Sequence, residues 1–104
     1  MSKPRYRWWN YIKSCLRSYP EMRRNADALR GQDLREYQAI RQAMEDTERL
    51  PDGSERLSLA RLVLMERRYT LEGAAMRQHV STATAKRWHQ DFIRLTARHM
   101  GLLE

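Results

Sequence analysis

The chain is predicted to be all-α, a helical domain with a C-terminal helix-turn-helix and a long last helix. Three observations predict it. Gly and Pro number only four and three in 104 residues, whereas Leu, Ala, Arg, Glu and Met are plentiful, a mix that favours helices. Apolar residues recur three and four apart in segment after segment. No run of alternating apolar and polar residues bounded by turn signals is present. The length fits one domain, with a basic N-terminal helical segment at 1–31 and the helix-turn-helix module at 32–104.

Taken in order, residues 5–18 carry Trp8, Ile12, Cys15, Leu16 and Tyr19 at helical spacing, with Arg5, Arg7, Lys13 and Arg17 mostly off that stripe. The pair Tyr19-Pro20 is expected to end this helix, because a residue before proline avoids helical angles. A second helix is expected over 20–30, stopped by Gly31. Asp33 should open a third, with Glu36 at capping-box spacing and Leu34, Tyr37, Ile40 and Met44 along one face to about Arg49. The acids of EDTE at 45–48 read as a solvated helix end. LPDGS then turns the chain, and Ser54 is expected to cap ERLSLARLVLMERR. That helix is apolar on most sides, which predicts a place at the centre of the fold.

Residues 70–89, TLEGAAMRQHVSTATAKRWH, have the layout of two short capped helices around a break. Thr70 and Ser81 are suited to cap them, since a hydroxyl can accept from a free backbone N–H. Ala75 is small enough for two helices to cross. His79 stands at the turn, where a positive φ would usually call for glycine. It predicts either a strained turn of that kind or a longer one. Val80 should pack beneath the turn. The last helix is expected to run to about Met100 and to end at Gly101, with Ala85, Trp88, Phe92, Leu95 and His99 on its buried stripe.

The opposite face of that helix carries Ser81, Thr82, Ala83, Lys86, Arg87 and Gln90. The N-terminal turns of a recognition helix meet base edges in the major groove. Thr and Ala can contact a thymine methyl, Arg can pair with guanine and Gln with adenine. These six are the candidate base-reading residues. Arg77, Arg94 and Arg98 are the candidate phosphate contacts, with the basic first helix expected either to add to these or to form a dimer. The charge agrees with such a partner. The net charge is +7, with +6 over residues 1–31, −1 over 32–68 and +2 over 69–104. Two basic segments around a neutral one suit a module that meets phosphates.

The stretch from Leu50 to Trp88 resembles the helix-turn-helix of region 4 of bacterial sigma factors (the sigma-70 class). The features that carry the likeness are Leu50-Pro51, Arg56, Leu62, Thr70-Leu71-Glu72 with Ala75, and Val80-Ser81. With RYRWWNYIKSCLRSYP ahead of that module, the chain resembles the phage-encoded ArpU-like and RinA-like transcriptional regulators of Gram-positive bacteria. The resemblance implies a sequence-specific DNA-binding transcription regulator of phage or prophage origin, acting on late, packaging or lysis genes. Its main departure is His79.

The same residues admit other roles. Trp88 is expected to be core, as is Trp8. Trp9, with Arg5, Tyr6 and Arg7, is open between packing, a dimer contact and a nucleic-acid surface. His79, His89 and His99 lie ten apart, which does not make one helical face, so no metal site is expected. Cys15 is expected to be a reduced core thiol. Neither a catalytic constellation nor a phosphate-cradling glycine loop is present, so the chain is not expected to be an enzyme or to need a cofactor. No apolar run approaches the ~20 residues of a membrane span, and neither a signal peptide nor a membrane partner is expected, so the expected place is the bacterial host cytoplasm. The expected partner is double-stranded DNA, with host RNA polymerase and a homodimer also considered. Two rivals share the helices: a DNA-packaging factor like a small terminase subunit, and an interaction module that docks on RNA polymerase without reading DNA.

Overall fold

The computed structural model describes residues 7–102, and among them every regular element is helical. The helices are α1 (Trp9–Arg24), α2 (Gly31–Glu48), α3 (Gly53–Ala60), α4 (Leu71–Arg77) and α5 (Thr82–His99). A 3₁₀ turn at Ala26–Ala28 joins α1 to α2, and a π turn at Arg61–Met65 extends α3.

The larger core gathers Ile12, Cys15 and Leu16 of α1, Ile40 and Ala43 of α2, Leu57 and Ala60 of α3, Leu64 and Met65 of the π turn, and Phe92, Ile93 and Ala97 of α5. A smaller core holds Leu59, Ala74, Ala75, Ala85 and Trp88, with Val63, Leu71 and Val80 against it. The segment from α3 through the π turn feeds both cores, so the central position expected for it is what the structure shows. The π turn closes through Glu66 N–H donating to Arg61 O at 2.8 Å, and Arg68 N–H reaches Leu62 O at 2.9 Å around Arg67, whose φ is 55°. Wide turns of this kind commonly interrupt α-helices where an extra residue must be absorbed.

Several local expectations are corrected by packing. Pro20 does not end the first helix; it lies inside α1, which runs on to Arg24. Proline in a helix interior costs ~3 kcal/mol. Burial on both sides of it offsets that cost: Tyr19 stacks on Tyr37 with centroids 5.7 Å apart, and Met22 packs on the larger core. The helix expected over 20–30 therefore shrinks to the 3₁₀ turn, and Gly31 starts α2 rather than stopping a helix, its φ of +58° swinging the chain into it.

The Asp33–Glu36 capping box does not form. Asp33 lies in the first turn of α2, and no side chain caps that helix. Glu36 is buried instead, accepting a hydrogen bond from Tyr11 Oη and another from Gln32 Nε2 at 3.3 Å. Burial and the Glu36 carboxylate both push the Tyr11 phenol above its ordinary range. Ser54 does not cap α3 either. The cap position is Asp52 at φ 58°, without a side-chain bond. Gly53 follows because α2 ends against it: a Cβ there would lie 2.4 Å from Glu48 O.

His99 leaves the buried stripe. It is exposed, and its Nε2 lies 2.6 Å from Asp46 Oδ2. The EDTE segment is thus only partly solvated, with Asp46 tied to α5 and Thr47 buried. The His99 hydrogen bond holds the Asp46 carboxyl below its usual range. Cys15 is buried, and burial, followed by the nearby Glu36 charge, pushes its thiol up to about 11. Trp8 and Trp9 are both half-buried against the larger core, with ring centroids 6.0 Å apart. Arg7 is exposed, and Arg5 and Tyr6 lie outside the described residues.

Candidate nucleic-acid interface

The geometry of α4 and α5 starts with their caps. Thr70 Oγ1 accepts from Gly73 N–H at 3.0 Å, and Ser81 Oγ accepts from Thr84 N–H at 3.1 Å. Each satisfies one of the free N–H groups that a helix start leaves over. Between them the chain closes α4 with paired bonds. Val80 N–H donates to Ala75 O at 3.0 Å and His79 N–H to Met76 O at 3.1 Å. This is the Schellman arrangement, which needs its turning residue at positive φ. His79 supplies it at φ 58°, so of the two turns open to it the chain takes the strained one.

Beneath the turn, Ala74 and Ala75 are buried at 0% and 2% exposure, so α4 can approach α5 closely. Val80, Ala85 and Trp88 close the contact, and Trp88 is 6% exposed, as a core residue should be. Gln78 Nε2 donates to Ser58 Oγ at 2.9 Å, which ties the turn to α3. The guanidinium of Arg56 lies 5.5 Å from the Trp88 ring centroid and 3.6 Å from Asp91 Oδ2. Its Nε is buried without a hydrogen-bond partner.

With Trp88 held from below, the other side of α5 is turned outward. Ser81, Thr82, Ala83, Lys86, Arg87 and Gln90 are all exposed. The Ser81 hydroxyl is engaged, since it also donates to Thr84 Oγ1 at 3.0 Å. Its contribution to a partner would come through the helix start rather than a free side chain. Arg87, Arg94 and Arg98 follow at seven- and eleven-residue spacing along one face, and all three are exposed. Arg98 stands about 12 Å along the axis from Gln90 at 1.5 Å per residue. It therefore belongs to the far end of the helix, away from the capped start. Arg77 is exposed on α4, its guanidinium 5.5 Å from the Tyr69 ring centroid. That stacking restrains the side chain while leaving its charge outward.

A second basic feature joins the first helix to α5. Lys13 and Arg17 of α1, Arg67 of the turn before α4 and His89 of α5 line one pocket with Val63 and Leu64. The i,i+4 spacing of Lys13 and Arg17 was the available signal, but nothing in it points to His89, far along the chain. Burial, and secondarily the charge of Lys13, depresses the His89 imidazole to about 4, so it is neutral at pH 7. Among the described residues no group of three His, Cys, Asp or Glu could hold a metal ion, and no helix is long and apolar enough to cross a membrane. No family model matches the chain, and no curated protein or solved structure matches it.

Proposed function

We propose that the chain is a sequence-specific DNA-binding transcription regulator of phage or prophage origin, acting on late, packaging or lysis genes. The observation that carries the DNA-binding part is the exposed face of α5. Thr82, Ala83, Lys86, Arg87 and Gln90 stand out from a helix whose start is capped and whose opposite side is fixed by Trp88. A rigid element presenting mixed donors, acceptors and methyl groups is what base readout in the major groove requires. The phage setting and the gene class rest only on the resemblance of the chain, with RYRWWNYIKSCLRSYP ahead of the Leu50–Trp88 module, to phage-encoded regulators.

Selection of duplexes from a random library, followed by footprinting, tests the reading. One short consensus supports a single reader, and a palindrome supports a two-fold pair. On the selected site, Arg87→Ala should cost ~1–3 kcal/mol and relax preference at one position, whereas Arg77→Ala should weaken all sequences alike. Equal effects of both substitutions on selected and random duplexes would refute specific reading.

One observation favours a second reading. Met76, one residue before the end of α4, is 78% exposed, an apolar side chain that a protein partner such as host RNA polymerase could cover. Under that reading the library yields no consensus, and association depends little on salt.

A further inference from the structure

Like charges converge on the pocket between α1, the turn before α4 and α5. Lys13, Arg17 and Arg67 reach it from two separate parts of the chain, and none of the three forms an ion pair among the described residues. No acid lines it. Lys13 is half-buried and Arg17 and Arg67 are exposed, so the three charges stand at the mouth of the hollow, where their summed field attracts an anion. The rest of the wall is Val63, Leu64 and the imidazole of His89. The hollow measures about 130 Å³, well above the ~10–15 Å³ that a single water needs, so a tetrahedral oxyanion fits.

Its position gives that anion a source. His89 lies between Lys86 and Gln90 in α5, one turn past the first and adjacent to the second. The pocket therefore borders the face proposed to meet base edges. A helix lying in a major groove has sugar-phosphate strands along both sides, and contacts to them set its register.

We infer that the pocket formed by Lys13, Arg17, Arg67 and His89 binds one backbone phosphate of the duplex beside the bases that α5 reads. The first helix is then a second arm of the DNA interface, and it fixes the depth and register of α5 in the groove. Lys13, Arg17 and Arg67 supply charge and N–H donors, and neutral His89 supplies one ring N–H. The inference rests on the DNA-binding reading, and the test separates the two.

The full-length chain is titrated against its selected duplex over a series of salt concentrations, alongside the double variant Lys13→Gln/Arg17→Gln and, as a control, Arg23→Gln, which lies on α1 outside the pocket. The double variant should bind on the order of tenfold more weakly at low salt, with a logarithmic salt slope flatter by about 1 and an unchanged consensus. The control should match the parent. A single methylphosphonate is then walked along the duplex. One flanking position should weaken binding by the parent and have no effect on the double variant. Parent binding that the double variant reproduces, at every salt and every methylphosphonate position, overturns the phosphate pocket and leaves the DNA reading standing. Failure of the parent to select or bind any duplex overturns both. Inorganic phosphate that shifts the His89 ring resonances, with no duplex position coupled to the pocket, assigns it to a free anion and overturns the backbone contact.

Discussion

Replacing His79 by glycine should stabilise this fold, although the substitution removes a whole side chain. His79 sits at φ 58°, where an L residue meets its own carbonyl, at a cost of ~1–2 kcal/mol. Histidine is among the more tolerant residues there, which places it at the low end of that range. Its side chain is exposed, so little packing is lost on truncation. Both turn bonds use backbone groups, Val80 N–H to Ala75 O and His79 N–H to Met76 O, and glycine keeps them. Against the relief stands the wider unfolded ensemble of glycine, ~0.4–1 kcal/mol. The balance is about 0–0.6 kcal/mol in favour of the variant. For a domain of this size that is a rise in Tm of at most about 2–5 °C. Thermal unfolding followed by far-UV circular dichroism reads it directly. His79→Val is the companion, because a β-branched residue fits that φ worse and should lose at least ~1 kcal/mol. A glycine variant less stable than the parent, or a valine variant equal to it, would refute the assignment of strain to this turn.

Other expectations follow from features with no part in the turn. Gly53→Ala drives a Cβ to 2.4 Å from Glu48 O, so the urea midpoint should fall by the equivalent of ~1–3 kcal/mol; an unchanged midpoint would mean the α2–α3 approach is looser than described. Burial keeps the His89 imidazole neutral down to about 4, against an ordinary value of 6.5, so in that window the unfolded chain binds a proton that the fold excludes. Stability should therefore be full above 6.5 and fall as pH drops towards 4, by up to about 3 kcal/mol. His89→Gln should flatten that part of the pH profile, and a slope identical to the parent's would refute it. Cys15 should resist an aryl disulfide reagent in the native protein and react fully once unfolded in urea, because its thiolate is both buried and disfavoured. Rapid reaction in buffer would count against that burial.

The features legible in the sequence are those decided by chemistry within one turn. Thr70 and Ser81 cap because their hydroxyls reach an N–H three residues on, whatever surrounds them. Ala75 and Trp88 are buried because the three- and four-residue rhythm leaves them no other face. The exposed set on α5 follows from the same rhythm by subtraction. Misreadings occur where a distant part of the chain overrides a local preference. Pro20 stays within a helix because Tyr19 finds Tyr37. Glu36 leaves its cap for Tyr11, and His99 leaves its stripe for Asp46. Ser54 loses its capping place because Gly53 must fit under the end of α2. The Lys13–Arg17–Arg67–His89 pocket was invisible for the same reason, being assembled only when α1 and α5 come together.

Arg56 holds a consequence of its own for the reading helix. Asp91 is the one acid in α5, and it stands one residue beyond Gln90. Left alone, its carboxylate would present a repulsive spot to any polyanion lying along that helix. Arg56 rises from the floor of the fold, resting on Trp88, and sets a counter-charge 3.6 Å from it. A side chain only one-fifth exposed therefore screens a charge on the helix proposed to meet the duplex. Exchanging Arg56 for a neutral residue of similar bulk would unmask Asp91 and make the outer surface less welcoming to phosphate, with every candidate contact residue still in place.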